Sequence, residues 1–122
     1  MTTQEKLDAI LQYADEMKAD QIEVLDVHEK TTITEFFVIC TGTSDTHVRS
    51  IAERISERLR ENHGERALRQ EEGDASWVLI DFGDVVLNVM REEKRQFYSL
   101  EELWNEMPKD PTLVTEPVDA ES

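Results

Sequence analysis

Two stretches of the chain carry apolar residues at the three- and four-residue spacing of an amphipathic helix. Residues 3–18 form the first stretch, and Thr2 with Glu5 fits a capping box at its start. The second stretch follows an N-cap at Ser44 or Asp45, and its apolar face consists of Val48, Ile51, Ala52, Ile55 and Leu59. The pattern therefore predicts an N-terminal helix and a longer central helix, each of which buries one face.

The other apolar runs change to the spacing of β-strands. They predict five strands, at residues 22–27, 36–40, 66–69, 77–82 and 85–90. The second of these strands is almost wholly apolar, which predicts that it is covered on both faces. The last two flank Gly83 and Asp84 and therefore predict a β-hairpin. Residues 70–75 are mostly polar and contain a glycine, so we expect them to form a loop.

The C-terminal part predicts one more short helix. Residues 92–98 are expected to be a polar connector or a short helix, and Ser99 with Glu102 forms a second capping box. The element order α-β-β-α-β-β-β-α predicts a single-domain α/β fold in which helices pack on a mixed sheet. That domain should span residues 1–107. Residues 108–122 are rich in proline and acidic residues and should form a disordered acidic tail.

The charge balance narrows the classes of function. The 122 residues include 28 acidic and 13 basic residues, which gives a formal net charge of -15. Phosphate contacts need lysine and arginine, so we expect little direct contact with nucleic acid, and anionic membranes should repel the protein. A basic protein partner fits this charge better. Solubility alone is the competing explanation for the acidity.

The single cysteine and the lack of a recognisable targeting signal exclude further classes of protein. The single cysteine, Cys40, excludes an intramolecular disulfide and a cysteine-cluster metal site, and its place in an apolar strand predicts a buried, inert thiol. No apolar run approaches the ~20 residues of a membrane span. The N-terminal sequence has neither a secretory nor a transit-peptide composition. We therefore expect a cytoplasmic protein.

The segment from Thr41 to Ser44 lies between a strand and a helix, where backbone N–H groups can bind a phosphate. It lacks the glycine pattern and the lysine of a P-loop, and Asp45 would repel an anion. Helix capping is therefore the simpler explanation. His28, His47 and His63 have no metal-ligand spacing, and we expect polar or capping roles for them.

A strand followed by such a loop is also found in nucleotidyltransferases, whose chemistry needs two carboxylates on one strand face to hold divalent metal ions. Acidic pairs at i and i+2 occur only at Glu72/Asp74 and Asp119/Glu121. Neither pair lies on a predicted strand. The sequence therefore predicts no catalytic residue, no metal site and no cofactor.

Trp77 is a candidate for a protein interface. On its predicted strand it alternates with Leu79 and Asp81, so the indole shares a strand face with a charged residue. We therefore expect a half-exposed aromatic side chain of the kind found at interfaces. A place in the core is the alternative. The other tryptophan, Trp104, lies on the last short helix, and core packing is expected for it.

Several segments between residues 5 and 107 form a distinctive combination. The longest are residues 77–87, Trp-Val-Leu-Ile-Asp-Phe-Gly-Asp-Val-Val-Leu, and residues 95–104, Arg-Gln-Phe-Tyr-Ser-Leu-Glu-Glu-Leu-Trp. The shorter ones are residues 18–22, 25–27, 36–39 and 42–44. Together, in this order and without large gaps, they resemble the ribosomal silencing factor family, which is also called the RsfS or Iojap family.

This resemblance implies a nucleotidyltransferase-like fold without transferase activity. It also implies binding to the large ribosomal subunit through a ribosomal protein on its intersubunit face, number fourteen in the large-subunit series. Occupying that face would block joining of the small subunit by steric exclusion and would lower translation when nutrients are scarce. An acidic factor that meets a basic ribosomal protein agrees with the charge of this chain.

Carried over to this sequence, the family pattern marks six residues for partner binding: Trp77, Asp81, Asn88, Arg95, Tyr98 and Glu101. Trp77 would be the buried anchor, Asp81 and Glu101 would meet basic side chains, and the others would supply polar contacts.

The sequence departs from the usual family pattern in two places. Glu35-Phe36-Phe37 replaces Asp-Tyr-Phe, and Asn88 replaces a histidine. Two other hypotheses stay open: a nucleotide-binding or nucleotidyltransferase-like enzyme, and a generic acidic adaptor that forms homodimers. The resemblance makes a homodimer of the free protein plausible as well.

Overall fold

A single sheet with two long helices on one side organises the part of the chain that the structure describes. This structure is a computed structural model, and it describes residues 1–28, 34–74 and 76–97. The elements are α1 (Thr3–Glu16), β1 (Asp20–Asp26), β2 (Phe36–Gly42), α2 (Asp45–His63), β3 (Arg69–Asp74), β4 (Trp77–Asp81), β5 (Val85–Arg91) and α3 (Glu92–Phe97). The predicted helix after Ser99, the boundary at residue 107 and the predicted tail lie outside the described residues.

The five strands form one mixed sheet with the order β1-β2-β5-β4-β3. β2 and β5 run parallel, with Phe36 opposite Val85, whereas the other three pairs are antiparallel. The chain leaves β2 through α2, enters the far edge of the sheet at β3, and returns to β2 through β4 and β5. A mixed sheet with packed helices is the α/β class that the sequence predicts, so the predicted fold class is confirmed.

The ends of the two long helices follow local signals. The Thr2 hydroxyl accepts the backbone N–H of Glu5 at 3.1 Å, and the Glu5 carboxylate accepts the backbone N–H of Thr2 at 2.8 Å, which completes the predicted capping box. Ser44 caps α2 by accepting the N–H of His47 at 3.0 Å. α1 ends at Glu16 and not at the predicted Lys18, because Lys18 has a left-handed φ of 61°.

The loop predicted at residues 70–75 is wrong over residues 70–74, the part that the structure describes. Residues 69–74 form β3, which pairs antiparallel with β4 from Arg69 opposite Asp81 onwards. The stretch has no apolar alternation because β3 is an edge strand, where polar side chains stay in contact with water. Backbone pairing with β4 therefore outweighs the weak local strand propensity of this polar segment.

Gly42 sets the close approach of α2 to the end of β2. A Cβ atom at this position would lie 2.9 Å from the backbone nitrogen of Val48 and 2.9 Å from its Cγ2 atom. Because most of this crowding is with helix backbone, a larger residue would push α2 away from the sheet. The glycine thus places the helix over its own strand.

The two faces of the sheet have different neighbours. On one face, α1 and α2 contribute side chains to a core that includes Ile10, Ile51, Ile55 and Leu87. The opposite face, which we call the distal face, carries alternate side chains of the strands and the adjoining Val27: Leu25, Val27, Phe37, Ile39, Trp77, Leu79, Asp81, Val86, Asn88 and Met90. No side chain of a described helix belongs to the distal cluster, yet all of these residues except Leu25 are buried.

A buried lysine joins α1 to the turn between β4 and β5. The ammonium group of Lys6 lies 2.8 Å from the Asp84 carboxylate and 3.1 Å from that of Glu65, and it donates to the carbonyl of Phe82 at 3.0 Å. The Thr3 hydroxyl donates to the second carboxylate oxygen of Asp84 at 2.6 Å. The start of α1, the chain after α2 and the hairpin turn are thereby held together.

The ionised forms of Lys6 and Asp84 stabilise each other. Burial alone would lower the pKa of Lys6, but hydrogen bonds to Asp84 and Glu65 outweigh it and raise that pKa above its usual 10.5. Burial alone would likewise raise the pKa of Asp84. Hydrogen bonds from Lys6 and Thr3 outweigh that effect and lower the pKa below its usual 3.8.

We predict that Asp84→Asn lowers the free energy of unfolding by about 2 kcal/mol, between the values for exposed and fully buried ion pairs. Urea denaturation followed by circular dichroism measures the change. Glu61→Gln is the control, because the pair of Glu61 with Arg60 is exposed at the surface and should contribute less than ~0.5 kcal/mol. Equal effects of the two substitutions would contradict the structural role of the Lys6 cluster.

The stabilisation by Asp84 should depend on pH at both extremes. The pKa of Asp84 is lowered by folding, so its contribution is present above about pH 4 and is lost as the pH falls through the folded-state pKa. The pKa of Lys6 is raised by folding, so its contribution is present below about pH 10 and is lost as the pH rises further. The stability difference between the parent and Asp84→Asn, from urea titrations at each pH, should be constant between these limits and shrink outside them. A difference in unfolding free energy that persists unchanged at pH ~2 would contradict a stabilising role of the ionised Asp84.

Candidate protein-docking site on the distal face

Three polar side chains interrupt the apolar distal face. Trp77 and Asp81 lie on β4 with exposed fractions of 8% and 5%, and Asn88 lies on β5 with 0%. Both strands have a hydrogen-bonded neighbour on each side, so the sheet fixes the direction of these side chains. Asn88 stands opposite Leu79, which makes Trp77 and Asp81 its diagonal neighbours. The sheet register therefore brings the three polar groups together.

A hydrogen bond joins Trp77 to Asn88. The indole Nε1–H donates to the amide Oδ1 at 2.8 Å. Because an indole nitrogen can only donate, this contact fixes which end of the amide is the oxygen. Within the described chain, the buried Nδ2 of Asn88 has no hydrogen-bond partner. The amide is thus half satisfied, and its one bond holds the edge of the Trp77 ring.

The carboxylate of Asp81 organises the hairpin turn. Its Oδ1 atom accepts the backbone N–H of Gly83 at 2.8 Å, as in an Asx turn. Gly83 has a φ of 98°, which a residue without a Cβ adopts at low cost. Asp81 therefore serves the turn between β4 and β5 from a buried position.

An ion pair on the edge strand extends this site towards solvent. Arg69 and Glu71 lie opposite Asp81 and Leu79 in the antiparallel register, so they share the distal face. The Nη1 atom of Arg69 donates to Glu71 at 2.7 Å, and the two side chains are 17% and 37% exposed. Sequence reasoning missed both residues, because it assigned Glu71 to a loop. Residues 69–72 are all polar, so no local pattern marks them as a strand.

The structure brings together three of the six predicted partner-binding residues: Trp77, Asp81 and Asn88. The expectation that Trp77 is half-exposed is wrong, since the indole is buried against Phe37, Leu79 and other distal residues. An acidic residue on the same strand face suggested that this face is exposed. Asp81 is nevertheless buried, beside the hairpin turn. Arg95 lies on α3, but its side chain is not described, and Tyr98 and Glu101 lie outside the described residues.

The acidic pair Glu72/Asp74 lies on a strand after all, which corrects the expectation from the sequence. Both residues belong to β3. A register shift between them places Glu72 opposite Val78 and Asp74 opposite Trp77. Val78 faces the helices, whereas Trp77 faces the distal side. The bulge therefore separates the two positions, although their i and i+2 spacing would place them on one face of a regular strand.

Two backbone N–H groups at the start of α2, those of Thr43 and His47, are occupied by side chains of the same region. The N–H of Thr43 donates to Nδ1 of His47 at 2.9 Å, and the N–H of His47 donates to Ser44. The other ring nitrogen of His47 lies 2.8 Å from the carbonyl oxygen of Met17 at the end of α1. These contacts agree with the predicted capping role. Across the described ranges, no group of three or more His, Cys, Asp or Glu side chains is placed to hold a metal ion.

A shallow cleft of about 470 Å³ lies on the helix side, between α1 and the end of α2. Tyr13 and His63 in its wall bond to each other, since the Tyr13 hydroxyl lies 3.1 Å from Nε2 of His63, and the hydroxyl also accepts Nδ2 of the neighbouring Asn62 at 3.3 Å. These contacts join α1 to α2, so we assign the cleft to helix packing. As far as the chain is described, none of its helices has the length and apolar character needed to cross a membrane.

The sheet and its distal face define a strongly acidic α/β protein with a fixed cluster of aromatic, amide and acidic side chains on one face. The family model for "Ribosomal silencing factor during starvation" matches residues 1–122, and the chain belongs to this family. The family that the sequence resemblance implied is thereby confirmed.

Individual relatives support this assignment. The ribosomal silencing factor RsfS of Halalkalibacterium halodurans is 36% identical over 108 residues, which cover 88% of this chain and 92% of the relative. The RsfS of Bacillus subtilis is 36% identical over 94 residues, covering 77% and 80%. A crystal structure of a Chromobacterium violaceum protein matches with a TM-score of 0.79 at 29% identity, covering 90% of this chain and 92% of that one.

Because Trp77 is buried, we predict that Trp77→Ala lowers the free energy of unfolding by about 3–5 kcal/mol. Trp77→Phe retains most of the buried area and removes the indole N–H, so it should cost about 1 kcal/mol. Thermal and urea denaturation measure both. Leu68→Ala is the control, because Leu68 is 71% exposed and should change stability by less than ~0.5 kcal/mol. A Trp77→Ala variant as stable as the parent would contradict the buried position of the ring.

Proposed function

We propose that this protein is a ribosomal silencing factor that binds the large ribosomal subunit and sterically blocks joining of the small subunit. The contact would be made with ribosomal protein number fourteen of the large subunit, on the intersubunit face, and translation would fall under nutrient limitation. The observation that carries the proposal is the match of the whole chain to the silencing-factor family. The protein would act as a regulator in the cytoplasm, by occupying a surface and without a catalytic step.

Charge supports a protein partner over a direct RNA contact. The net charge of -15 attracts a basic ribosomal protein and opposes approach to the phosphates of ribosomal RNA. Long-range attraction of this kind raises the rate of encounter, and salt weakens it. The short-range fit must then come from a particular patch of the surface.

We place that patch on the part of the distal face formed by β5, β4 and β3. Trp77, Asp81 and Asn88 form its fixed base, and the more accessible ion pair of Arg69 with Glu71 forms its rim. Arg95, Tyr98 and Glu101 would complete the patch from the chain that follows β5. In this arrangement the buried residues hold the shape of the surface, and the rim residues meet the basic partner directly.

Two neighbouring residues of β3 allow a matched test of this placement. Glu71 and Glu72 differ in their strand partners, Leu79 on the distal face and Val78 on the helix side. We predict that Glu71→Lys weakens binding to purified large subunits roughly tenfold, which is about 1.4 kcal/mol, and that added salt reduces the effect. Glu72→Lys makes the same change in net charge and should have little effect.

Co-sedimentation with purified large subunits measures binding, and sucrose gradients with both subunits measure joining. The parent protein should sediment with the large subunit and reduce the fraction of joined ribosomes. A parent protein that does neither would refute the proposed function. Equal weakening by Glu71→Lys and Glu72→Lys would show that only net charge matters, and unchanged binding by both would place the docking patch elsewhere.

A further inference from the structure

Asn88 has an unusual position for an amide. Among the residues that the structure describes, it is the only buried one with a carboxamide side chain, and its exposed fraction is 0%. In the register of β5 it stands between Ile39 of β2 and Leu79 of β4, and both of these belong to the distal apolar cluster. The amide is therefore surrounded by apolar side chains at the centre of the sheet.

Only half of this amide is used. Its Oδ1 atom accepts the indole N–H of Trp77 at 2.8 Å, whereas Nδ2 finds no acceptor within the described ranges. A buried donor without a partner destabilises a fold, and an apolar side chain of similar shape avoids that cost. Leucine at position 88 alone would remove this donor but leave the indole N–H of Trp77 without its acceptor, whereas apolar side chains at both positions would avoid both costs. Stability alone therefore does not explain the polar pair of Trp77 and Asn88.

We propose that Asn88 is a positioning residue of the docking patch, which acts on the partner only through Trp77. This inference rests on the proposed function, because it takes the part of the distal face formed by β5, β4 and β3 as the surface that binds the large subunit. Asn88 is too deeply buried to touch a partner. Its carbonyl oxygen holds the indole N–H and so fixes which edge of the Trp77 ring the surface presents.

The sheet makes Asn88 a firm point of attachment. β5 is hydrogen-bonded to β2 and β4 on its two sides, so the backbone at Asn88 cannot shift without breaking both pairings. Trp77, in contrast, lies at the first residue of β4 and keeps a small exposed fraction. The torsion that turns an indole ring is soft, and packing alone leaves more than one orientation open. A directional hydrogen bond from a rigid strand removes that freedom.

The test is a double-mutant cycle in which stability and binding are measured on the same proteins. Trp77→Phe removes the donor and keeps the ring, and Asn88→Leu removes the acceptor together with the unpaired donor. The double variant lacks both. Leu87→Val is the matched control, because Leu87 is the adjacent residue of β5 and faces the helices. Asn88→His tests rescue, since a neutral imidazole offers one acceptor nitrogen to the indole and one N–H on its other side.

We expect each single variant to bind large subunits roughly tenfold more weakly and the double variant to be no weaker than the weaker single variant. Asn88→Leu removes the unpaired Nδ2 but leaves the indole N–H without its acceptor, so it should change the melting temperature little while it loses binding. Leu87→Val should lower the melting temperature without changing binding, and Asn88→His should bind more tightly than Asn88→Leu. In the free protein, the indole N–H proton resonance of Trp77, assigned by its absence in Trp77→Phe, should shift in Asn88→Leu.

The possible results separate this inference from the proposed function. If the parent binds large subunits and Asn88→Leu binds equally well, the positioning role is wrong and the proposed function stands. The positioning role would also be wrong if the binding losses of the two single variants add in the double variant. It would be wrong as well if binding follows the melting temperature across all variants, including Leu87→Val. A parent protein that fails to bind would overturn both.

Discussion

The position of β5 between β2 and β4 is the constraint on which both layers of the molecule depend. All residues from Val85 to Met90 are buried, with Leu87 facing the helices and Asn88 facing the distal side. A shift of one residue in this strand would exchange the two sets of side chains. Parallel pairing with β2 opposes that shift, and β2 is itself held by the close contact of Gly42 with Val48 in α2. The pairing register of β5 therefore determines both which side chains pack against the helices and which form the docking patch.

The two clusters of buried polar groups meet different requirements. Around Lys6, a buried cation faces two carboxylates and a backbone carbonyl, so its desolvation is compensated by ion pairs and hydrogen bonds. Among the residues that the structure describes, Asn88 has a single side-chain hydrogen bond and an unpaired donor. The first arrangement suits a joint between elements of the fold. The second arrangement suits a surface that binds a partner, since proteins keep locally destabilising groups where binding requires them.

Much of the fold could be predicted from the sequence, because its signals are local. Helical spacing with the Thr2 and Ser44 caps identified α1 and α2, and apolar runs identified β2, β4 and β5. β3 could not be identified in this way, since Arg69–Asp74 is polar and becomes a strand only through pairing with β4. The pairing depends on contacts between two strands, and the sequence pattern within one strand does not indicate them.

The docking patch shows the same limit at the level of single side chains. The family pattern singled out Trp77, Asp81 and Asn88, and the sheet register does bring them together. Their burial was not predictable from alternation, because Asp81 carries a charge and still lies inside, bound to the N–H of Gly83. The bulge in β3 was not predicted from the sequence either. It depends on how the edge strand follows the twist of its neighbour.

The parallel pair of β2 and β5 also sets an order of events during synthesis. β2 leaves the ribosome roughly fifty residues before the strand that will cover its inner edge, and contacts so distant in sequence form slowly. Meanwhile β2 can pair only with β1, whose sequence includes Asp20, Glu23 and Asp26. Charged side chains on an edge strand discourage pairing with other chains. The acidic residues of β1 thus discourage pairing at the outer edge of the sheet, both before and after β5 is in place.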